Sequence, residues 1–145
     1  MTAVAPHRTF VPANLDPADW NQVRPLYEKL LNRPLKSPDD LEAWLADFSE
    51  LAAVMDEYEA RRYIDKSCHT DDPAIEKAYL HYVENIDPNI KPLMFKLKRK
   101  FLDSPARSQL TGQRHAILER NWRADVELFR DENVPLEVQV TKLTT

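Results

Sequence analysis

Apolar residues recur at three- and four-residue steps along most of this chain, the spacing that places them on one face of an α-helix. The longest run begins at Leu41 and keeps the same face for about six turns. Its apolar positions are Leu41, Trp44, Leu45, Phe48, Leu51, Ala52, Met55 and Tyr58. The opposite positions are acidic, namely Glu42, Asp47, Glu50 and Glu57. The pattern predicts one long amphipathic helix that ends near Lys66.

Helix-start signals that contain proline stand at the head of the main apolar runs. Asp and Ser side chains cap free backbone N–H groups, and proline suits the first helical position because it has no N–H to leave unpaired. The four signals are Asp16-Pro17, Ser37-Pro38, Asp72-Pro73 and Ser104-Pro105. Pro25 and the pair Asp87-Pro88 fall inside apolar runs, so we expect a kink or a break at each. We expect the last helix to open at Pro105 and to contain Gly112.

The scarcity of glycine narrows the fold class, since the chain has one glycine and eleven prolines in 145 residues. Tight hairpins and phosphate-binding loops depend on the positive φ angles that glycine adopts readily. A sheet-rich fold and a nucleotide-binding loop are therefore disfavoured. The sequence predicts an all-α fold, an elongated array of helices that start at proline and are joined by short linkers. We expect residues 1–15 to form an extended N-terminal arm and residues 16–145 to form the helical region.

The C-terminal segment supports two interpretations. Residues 134–140 alternate between apolar and polar types as a strand does, whereas Leu136, Val140 and Leu143 also fit one face of a helix. We favour the helix. No glycine, proline or polar run follows Leu143 to stop the element. We therefore expect the chain to be cut in mid-element at Thr145, as a fragment of a longer polypeptide would be.

Charge and cysteine usage disfavour several classes of protein. The net charge of −4 offers no basic excess to a phosphate backbone, so we expect no nucleic-acid partner. We also expect no membrane partner, because no apolar run approaches the ~20 residues of a membrane helix and residues 1–15 lack the apolar core of a secretory signal. The single cysteine, Cys68, cannot form an internal disulfide and fits a reducing compartment. The expected location is the cytoplasm.

The four histidines do not form a metal-site pattern. An H-E-x-x-H zinc helix needs two imidazoles one turn apart and a glutamate beside the first. After His81, the corresponding positions hold Tyr82 and Asn85. A weaker hypothesis is a metal-dependent enzyme that acts through His81, Glu84 and His115, although scattered helical histidines are usually surface or boundary residues. We expect no catalytic residue, cofactor-binding residue or metal ligand in this chain.

Two further clusters have a structural as well as a functional explanation. Cys68 and His69 could be a nucleophile and its base, but neighbours on a helix point about 100° apart, so we interpret them as linker residues. The basic residues within 96–100, flanked by Phe95 and Phe101, would suit the C-terminal carboxylate of a peptide or another anion. They are Lys96, Lys98, Arg99 and Lys100. We favour a solvated helix face near a C-terminus, where cations are stabilising.

Several phrases of the sequence resemble the N-terminal region of oligoendopeptidase F and its relatives in the thimet-oligopeptidase family of zinc metallopeptidases. They are residues 20–31 with Arg33-Pro34-Leu35, residues 41–51, Arg62-Tyr63-Ile64, and residues 129–136 with the pattern Glu-Asn-x-x-Leu. The resemblance implies an almost entirely helical enzyme that cleaves short peptides in a deep channel with one zinc ion. In that family an H-E-x-x-H helix and a later glutamate supply the zinc ligands and the general base, and none of those positions exists in this sequence. The resemblance thus implies a channel wall that is inactive alone, with the C-terminal catalytic region of the same polypeptide as its partner.

A stand-alone helical interaction or oligomerisation module is the alternative function, since long amphipathic helices can present an apolar stripe to a partner. If a missing domain normally covers part of these stripes, the isolated chain exposes an apolar patch larger than the few hundred Å² usual for a monomer. We then expect it to aggregate or dimerise. The zinc cofactor and the short peptide substrates are implied for the full-length enzyme and not for this chain by itself.

Overall fold

The computed structural model describes residues 9–132. Five α-helices lie in this part of the chain, α1 (Trp20–Asn32), α2 (Pro38–Cys68), α3 (Pro73–His81), α4 (Asp87–Leu102) and α5 (Gln113–Glu132). A π-helical turn, Tyr82–Ile86, joins α3 to α4, and a 3-10 turn, Pro105–Gln109, precedes α5. No strand occurs between residues 9 and 132, so the predicted all-α class is confirmed. The choice between strand and helix at 134–145 and the first eight residues of the arm lie outside the described residues.

The long helix α2 begins where its sequence signal stands. Ser37 is the N-cap, and its hydroxyl oxygen accepts a hydrogen bond from the backbone N–H of Asp40 at 3.2 Å. The Asp40 carboxylate in turn accepts from the backbone N–H of Lys36 at 3.0 Å, close to the reciprocal bonding of a capping box. The helix ends at Cys68, just beyond the predicted end, with His69 as its C-cap.

The start of α1 differs from the prediction. Asp19 and not Asp16 is the N-cap, because the Asp19 carboxylate accepts from the backbone N–H of Asn21 at 3.0 Å and the helix begins at Trp20. Asp16 closes the preceding turn, where it accepts from the backbone N–H of Ala18 at 3.0 Å. Both bonds are of the local side-chain-to-backbone kind that suits turns and caps alike. The predicted start at Asp16-Pro17 is therefore wrong.

Pro25 does not break α1. The helix runs continuously from Trp20 to Asn32 with this proline inside it. A proline within a helix removes the hydrogen bond to the carbonyl four residues earlier, which here belongs to Asn21. Both Pro25 and Asn21 are exposed, so water can serve that carbonyl. The buried face of the helix, with Leu30 fully inaccessible, holds the helix in place. Of the predicted kink or break at Pro25, the break is wrong.

The Asp87-Pro88 signal marks a change in helix geometry and not a gap between helices. Asp87 donates its backbone N–H to the carbonyl of Tyr82, five residues back, which is the spacing of a π-helix. The chain passes from this turn directly into α4. Tyr82 and Ile86 are both buried, and the Tyr82 ring lies 5.8 Å from that of Tyr58 in α2. The π turn thus fixes a tyrosine between α2 and α4.

The final helix begins later than predicted. Ser104 makes no capping bond, and its hydroxyl donates instead to the carbonyl of Leu35 at 3.3 Å. A 3-10 turn follows in which Ala106 is buried, and α5 begins only at Gln113. Gly112 therefore precedes the helix, which corrects its predicted place inside it. The Ser104 hydroxyl bonds to a residue that is distant in the sequence. The spacing of start signals cannot reveal such a contact.

Helix α5 buries fewer of its apolar side chains than predicted. Trp122 and Val126 are in the core, and Leu118 packs partly against it. The three- and four-residue spacing of apolar residues after Pro105 predicts that Ile117 and Leu128 face inward, but they are 44% and 60% exposed. No residue between 9 and 132 covers these two side chains fully.

The hydrophobic core is organised around Trp44 of α2, which is fully buried. Its ring stacks with Phe48 and Phe101, with centroids 5.4 and 6.1 Å away, and meets Trp122 edge-on at 6.2 Å. Its indole N–H donates to the carbonyl of Leu30 at 3.0 Å. One side chain therefore links α1, α2, α4 and α5.

The segment that precedes α1 is fastened to α2 by Glu50. The Glu50 carboxylate accepts hydrogen bonds from the backbone N–H groups of Thr9, Phe10 and Val11 at 2.9, 2.8 and 2.5 Å. The Val11 side chain is buried beside it. The sequence pattern places Glu50 on the acidic outer face of α2, so its role in holding a neighbouring segment is not predicted.

Glu119 ties the 3-10 turn to α5. Its carboxylate pairs with the guanidinium of Arg107 in the turn and accepts from Arg123 at 2.8 Å. The hydrogen bonds from Arg123 and then from Arg107 lower the pKa of Glu119 below its ordinary value of 4.5. The charged form of Glu119 is therefore the one that the fold stabilises.

We expect Glu119→Gln to flatten the loss of stability in acid. A carboxyl group whose pKa is lower in the folded than in the unfolded state stabilises the fold above its unfolded-state pKa and loses that contribution as the pH falls through the folded-state pKa. The free energy of unfolding of the unchanged chain should therefore fall more steeply than that of the variant below about pH 4.5. At neutral pH the difference should be about 1 kcal/mol. Urea titrations at several pH values measure both quantities.

Glu127→Gln is the matched control, because Glu127 is an exposed acid on the same helix. Its stability should follow that of the unchanged chain through the acid range. Parallel curves for all three proteins would show that the Arg107–Glu119–Arg123 contacts contribute nothing to folding.

Candidate functional site

A cleft with a volume of 290 Å³ opens among α1, α2, the π turn, α4 and α5. This size is near the lower end of the range for small-ligand pockets. Its walls are partly apolar, with Ala52, Ile90 and Met94 among them. Its charged residues are Asp56, Glu59, Asp87, Lys91, Lys98 and Asp125. We call it the acid-lined cleft.

Two of the four carboxylates in the acid-lined cleft have a basic partner. Asp87 lies 3.4 Å from the ammonium nitrogen of Lys91, and Asp125 lies 2.8 Å from that of Lys98. The other two, Asp56 and Glu59, form no ion pair with any residue that the structure describes. The cleft therefore carries an excess of negative charge.

Tyr27 and Tyr82 bring phenol groups to the cleft, and both residues are almost fully buried. The Tyr82 hydroxyl donates a long hydrogen bond to Glu59 at 3.5 Å, whereas that of Tyr27 has no hydrogen-bond partner within the described part of the chain. Burial and then the charges of Asp56 and Asp87 raise the pKa of Tyr27. Burial and then Glu59 raise the pKa of Tyr82. Both phenols are neutral at physiological pH, so each can donate or accept a hydrogen bond.

Sequence reasoning missed this cleft for a physical reason. Tyr27 and Tyr82 fit the apolar stripes of their helices, and Asp56 and Glu59 fit a solvated helix face, so each residue has an ordinary local explanation. They meet only because three elements distant in sequence pack together. The available signal is the tyrosine itself, since a buried phenol usually needs a hydrogen-bond partner for its hydroxyl.

The structure does not assemble His81, Glu84 and His115 into a metal site. His81 lies with its Nε2 2.8 Å from the carbonyl oxygen of Ala18. His115 lies with its Nε2 2.5 Å from a carboxylate oxygen of Glu42. Within residues 9–132, no group of three His, Cys, Asp or Glu side chains is placed to hold a metal ion. The weaker hypothesis of a metal-dependent enzyme gains no support.

Cys68 and His69 lie exposed where α2 ends. The backbone N–H of His69 donates to the carbonyl of Asp65 at 2.9 Å and closes the helix. This local role agrees with the interpretation of the two as linker residues.

The basic cluster of α4 is partly engaged within the chain. Lys98 pairs with Asp125 of α5, and Arg99 pairs with the aspartate one turn later at 3.3 Å. Lys96 is exposed and Lys100 is half-buried. Because two of the four cations already have carboxylate partners, these contacts favour a helix face over an anion site.

Several large apolar side chains on the C-terminal half of α2 and on the segment that follows it are exposed. They are Tyr63, Ile64, Leu80 and Val83, which are 60%, 57%, 39% and 38% exposed. We call these four residues the α2–α3 patch. Helix α3 has no buried residue at all. The described part of the chain therefore leaves these side chains in contact with solvent.

The length and the apolar character that a bilayer-spanning helix needs do not occur together in any helix between residues 9 and 132.

Comparison with known proteins gives one result. A family model described as the Peptidase M3 N-terminal domain matches residues 10–129, which is most of the chain and nearly all of the described part. No curated protein and no solved structure matches the chain.

Proposed function

This chain belongs to the Peptidase M3 N-terminal domain family, and we propose on that basis that it forms one helical wall of the channel in a zinc-dependent oligopeptidase that hydrolyses short peptides. The resemblance to the oligoendopeptidase F and thimet-oligopeptidase class is confirmed at the level of the family. The match over residues 10–129 is the observation that carries the proposal. Residues 1–15 would be an N-terminal arm of this wall and residues 16–145 its helical region.

In this proposal the chemistry comes from the C-terminal catalytic region of the same polypeptide. The zinc ion would be held there and would polarise the peptide bond and activate water. The residues described here do not fit a zinc ion, since none of their His, Cys, Asp and Glu side chains form a group of three suitable ligands. In this proposal the chain supplies no zinc ligand and no catalytic residue.

What this chain would contribute is shape. A channel wall must keep its form while peptides pass, and the aromatic packing of Trp44 against α4 and α5 supplies that rigidity. A wall must also attach to the catalytic region, and the α2–α3 patch offers apolar side chains for such a contact. The single exposed cysteine, Cys68, fits the reducing cytoplasm in which we propose that the enzyme acts.

The source gene provides the experiment that tests this proposal. We expect the reading frame to continue beyond Thr145 into a region that contains H-E-x-x-H. The longer protein should cleave a quenched fluorescent peptide, and a variant without the glutamate of that motif should not. An in-frame stop codon directly after Thr145 would contradict the proposal.

A stand-alone interaction module is the second candidate, and the exposure of the α2–α3 patch is the observation that favours it. It requires the purified chain to self-associate or to bind a partner with fixed stoichiometry. Light scattering that shows a compact monomer would remove the reason for this alternative.

A further inference from the structure

We propose that the acid-lined cleft binds an organic cation, a primary ammonium group on an aliphatic stem, which is the chemistry of a lysine side chain. The inference is independent of the proposed function, because every wall of the cleft comes from residues 27–126 of this chain. It rests on an excess of carboxylates, on an almost fully buried tyrosine whose hydroxyl has no hydrogen-bond partner among the described residues, and on apolar walls beside both.

The charge of the cleft selects a cation. Four carboxylates face two lysines there, and each lysine already pairs with one of them. Asp56 and Glu59 are left without an ion pair among the described residues. They lie three residues apart on α2, which places their side chains on the same face of the helix. Both carboxylates therefore line the cleft that a cation would enter.

Tyr27 is the second and independent observation. Its side chain is 2% exposed, and its hydroxyl forms no hydrogen bond with any residue that the structure describes. Burial and then the charges of Asp56 and Asp87, which both line the cleft as Tyr27 does, raise the pKa of the Tyr27 phenol. Among the described residues, the fully buried side-chain atoms without a partner are Arg62 Nε and His115 Nδ1, so the Tyr27 hydroxyl is not fully buried and stays open to the cleft that this residue lines. A ligand in the cleft can therefore donate a hydrogen bond to the phenol oxygen.

The number of donors and acceptors fits an ammonium group. An ammonium carries three N–H donors, and the cleft offers the phenol oxygen of Tyr27 and the carboxylates of Asp56 and Glu59 as three acceptors. Ala52, Ile90 and Met94 line the same cleft and provide apolar contacts for an aliphatic stem. A metal ion is less suitable, since the carboxylates are not grouped as ligands around one point.

Methionine methyl groups give a direct probe of the cleft. The chain has three methionines, Met1, Met55 and Met94, and the last two line the cleft. The 145-residue chain with 13C-labelled methionine methyls is titrated with n-butylammonium chloride at constant ionic strength. We expect the signals of Met55 and Met94 to shift saturably, with a dissociation constant on the order of 1 mM. The neutral probe 1-butanol should bind at least about 10-fold more weakly.

Variants separate specific binding from general electrostatic attraction. We expect the double variant Asp56→Asn with Glu59→Gln to lose about 10- to 100-fold in affinity and Tyr27→Phe to lose about 10-fold. Glu57→Gln is the control, because it removes one negative charge from the same helix outside the cleft, and its affinity should stay within about 2-fold. Tyr27→Phe keeps the test valid if the double variant fails to fold.

Three results would overturn the inference. The first is the absence of a saturable shift at Met55 and Met94. The second is an equal loss of affinity in Glu57→Gln and in the cleft variants, which would indicate unspecific attraction. The third is saturable displacement of the same signals by calcium or magnesium chloride at lower concentration than n-butylammonium, which would indicate a metal site.

Discussion

Replacement of Trp44 by alanine is expected to remove most of the free energy of unfolding of this chain. Deletion of a buried aromatic side chain costs about 3–5 kcal/mol. The carbonyl of Leu30, which accepts from the Trp44 indole at 3.0 Å, would also lose its buried donor, at a cost of about 1–3 kcal/mol. A domain of this size is stable by only about 5–15 kcal/mol in total. Urea denaturation followed by circular dichroism measures the loss.

Two variants show which part of the Trp44 side chain matters. Trp44→Phe keeps an aromatic ring against Phe48 but removes the N–H donor, so we expect a loss of about 1–3 kcal/mol. Trp20→Ala removes a half-buried indole at the start of α1 and should cost clearly less than Trp44→Ala. A Trp44→Ala protein within about 1 kcal/mol of the unchanged chain would show that this residue does not organise the core.

Glu50→Ala is expected to detach the segment that precedes α1. The carboxylate of Glu50 serves the backbone N–H groups of Thr9, Phe10 and Val11, and hydrogen bonds to a charged group are worth about 1.5–3 kcal/mol each when they are buried. Because this site is only partly buried, we expect a total loss of about 2–4 kcal/mol. The amide protons of these three residues should then exchange rapidly with solvent.

Hydrogen exchange measured by NMR tests this second prediction at single residues. Glu57→Ala is the control, since Glu57 pairs with exposed Arg61 at 2.9 Å on the same helix, and its loss should be below about 0.5 kcal/mol. Unchanged protection of the Phe10 and Val11 amides in Glu50→Ala would show that the carboxylate does not hold the segment.

Local signals in the sequence predict the fold class and the longest helix well. The start of α2 depends on Ser37 and on a proline beside it, both of which act within one turn, and the apolar period of α2 is uninterrupted. Its buried face therefore follows from spacing alone. Signals whose effect depends on contacts with residues distant in the sequence predict the bounds of helices less well. Ser104 resembles a cap, but its hydroxyl bonds to Leu35, and α5 begins only at Gln113.

Proline effects are also only partly visible in a sequence. The structure accommodates Pro88 through the π turn that precedes it, and Pro25 through an exposed position in α1. The sequence marks both places as irregular, but it does not show whether the helix ends, bends or continues. That outcome depends on how strongly the neighbouring buried residues hold the helix.

The acid-lined cleft could not be predicted, because its features exist only after packing. Tyr27 and Tyr82 lie on different helical segments, and Asp56 lies on a third. For the histidines, in contrast, the sequence itself is informative, because the lack of an H-E-x-x-H spacing already argues against a zinc helix. His81 and His115 contact Ala18 and Glu42 in the structure, so their positions have explanations that involve no metal.

The central claim is that this chain provides packed helices, while the reactive metal centre belongs to another part of the polypeptide. Peptide hydrolysis by the purified chain that ends at Thr145, with zinc supplied and then removed by dialysis, tests that claim directly. We predict no cleavage of quenched peptides above the rate in zinc buffer alone, and much less than one retained zinc ion per chain. Strong cleavage by material that keeps one zinc ion per chain after dialysis would contradict the account.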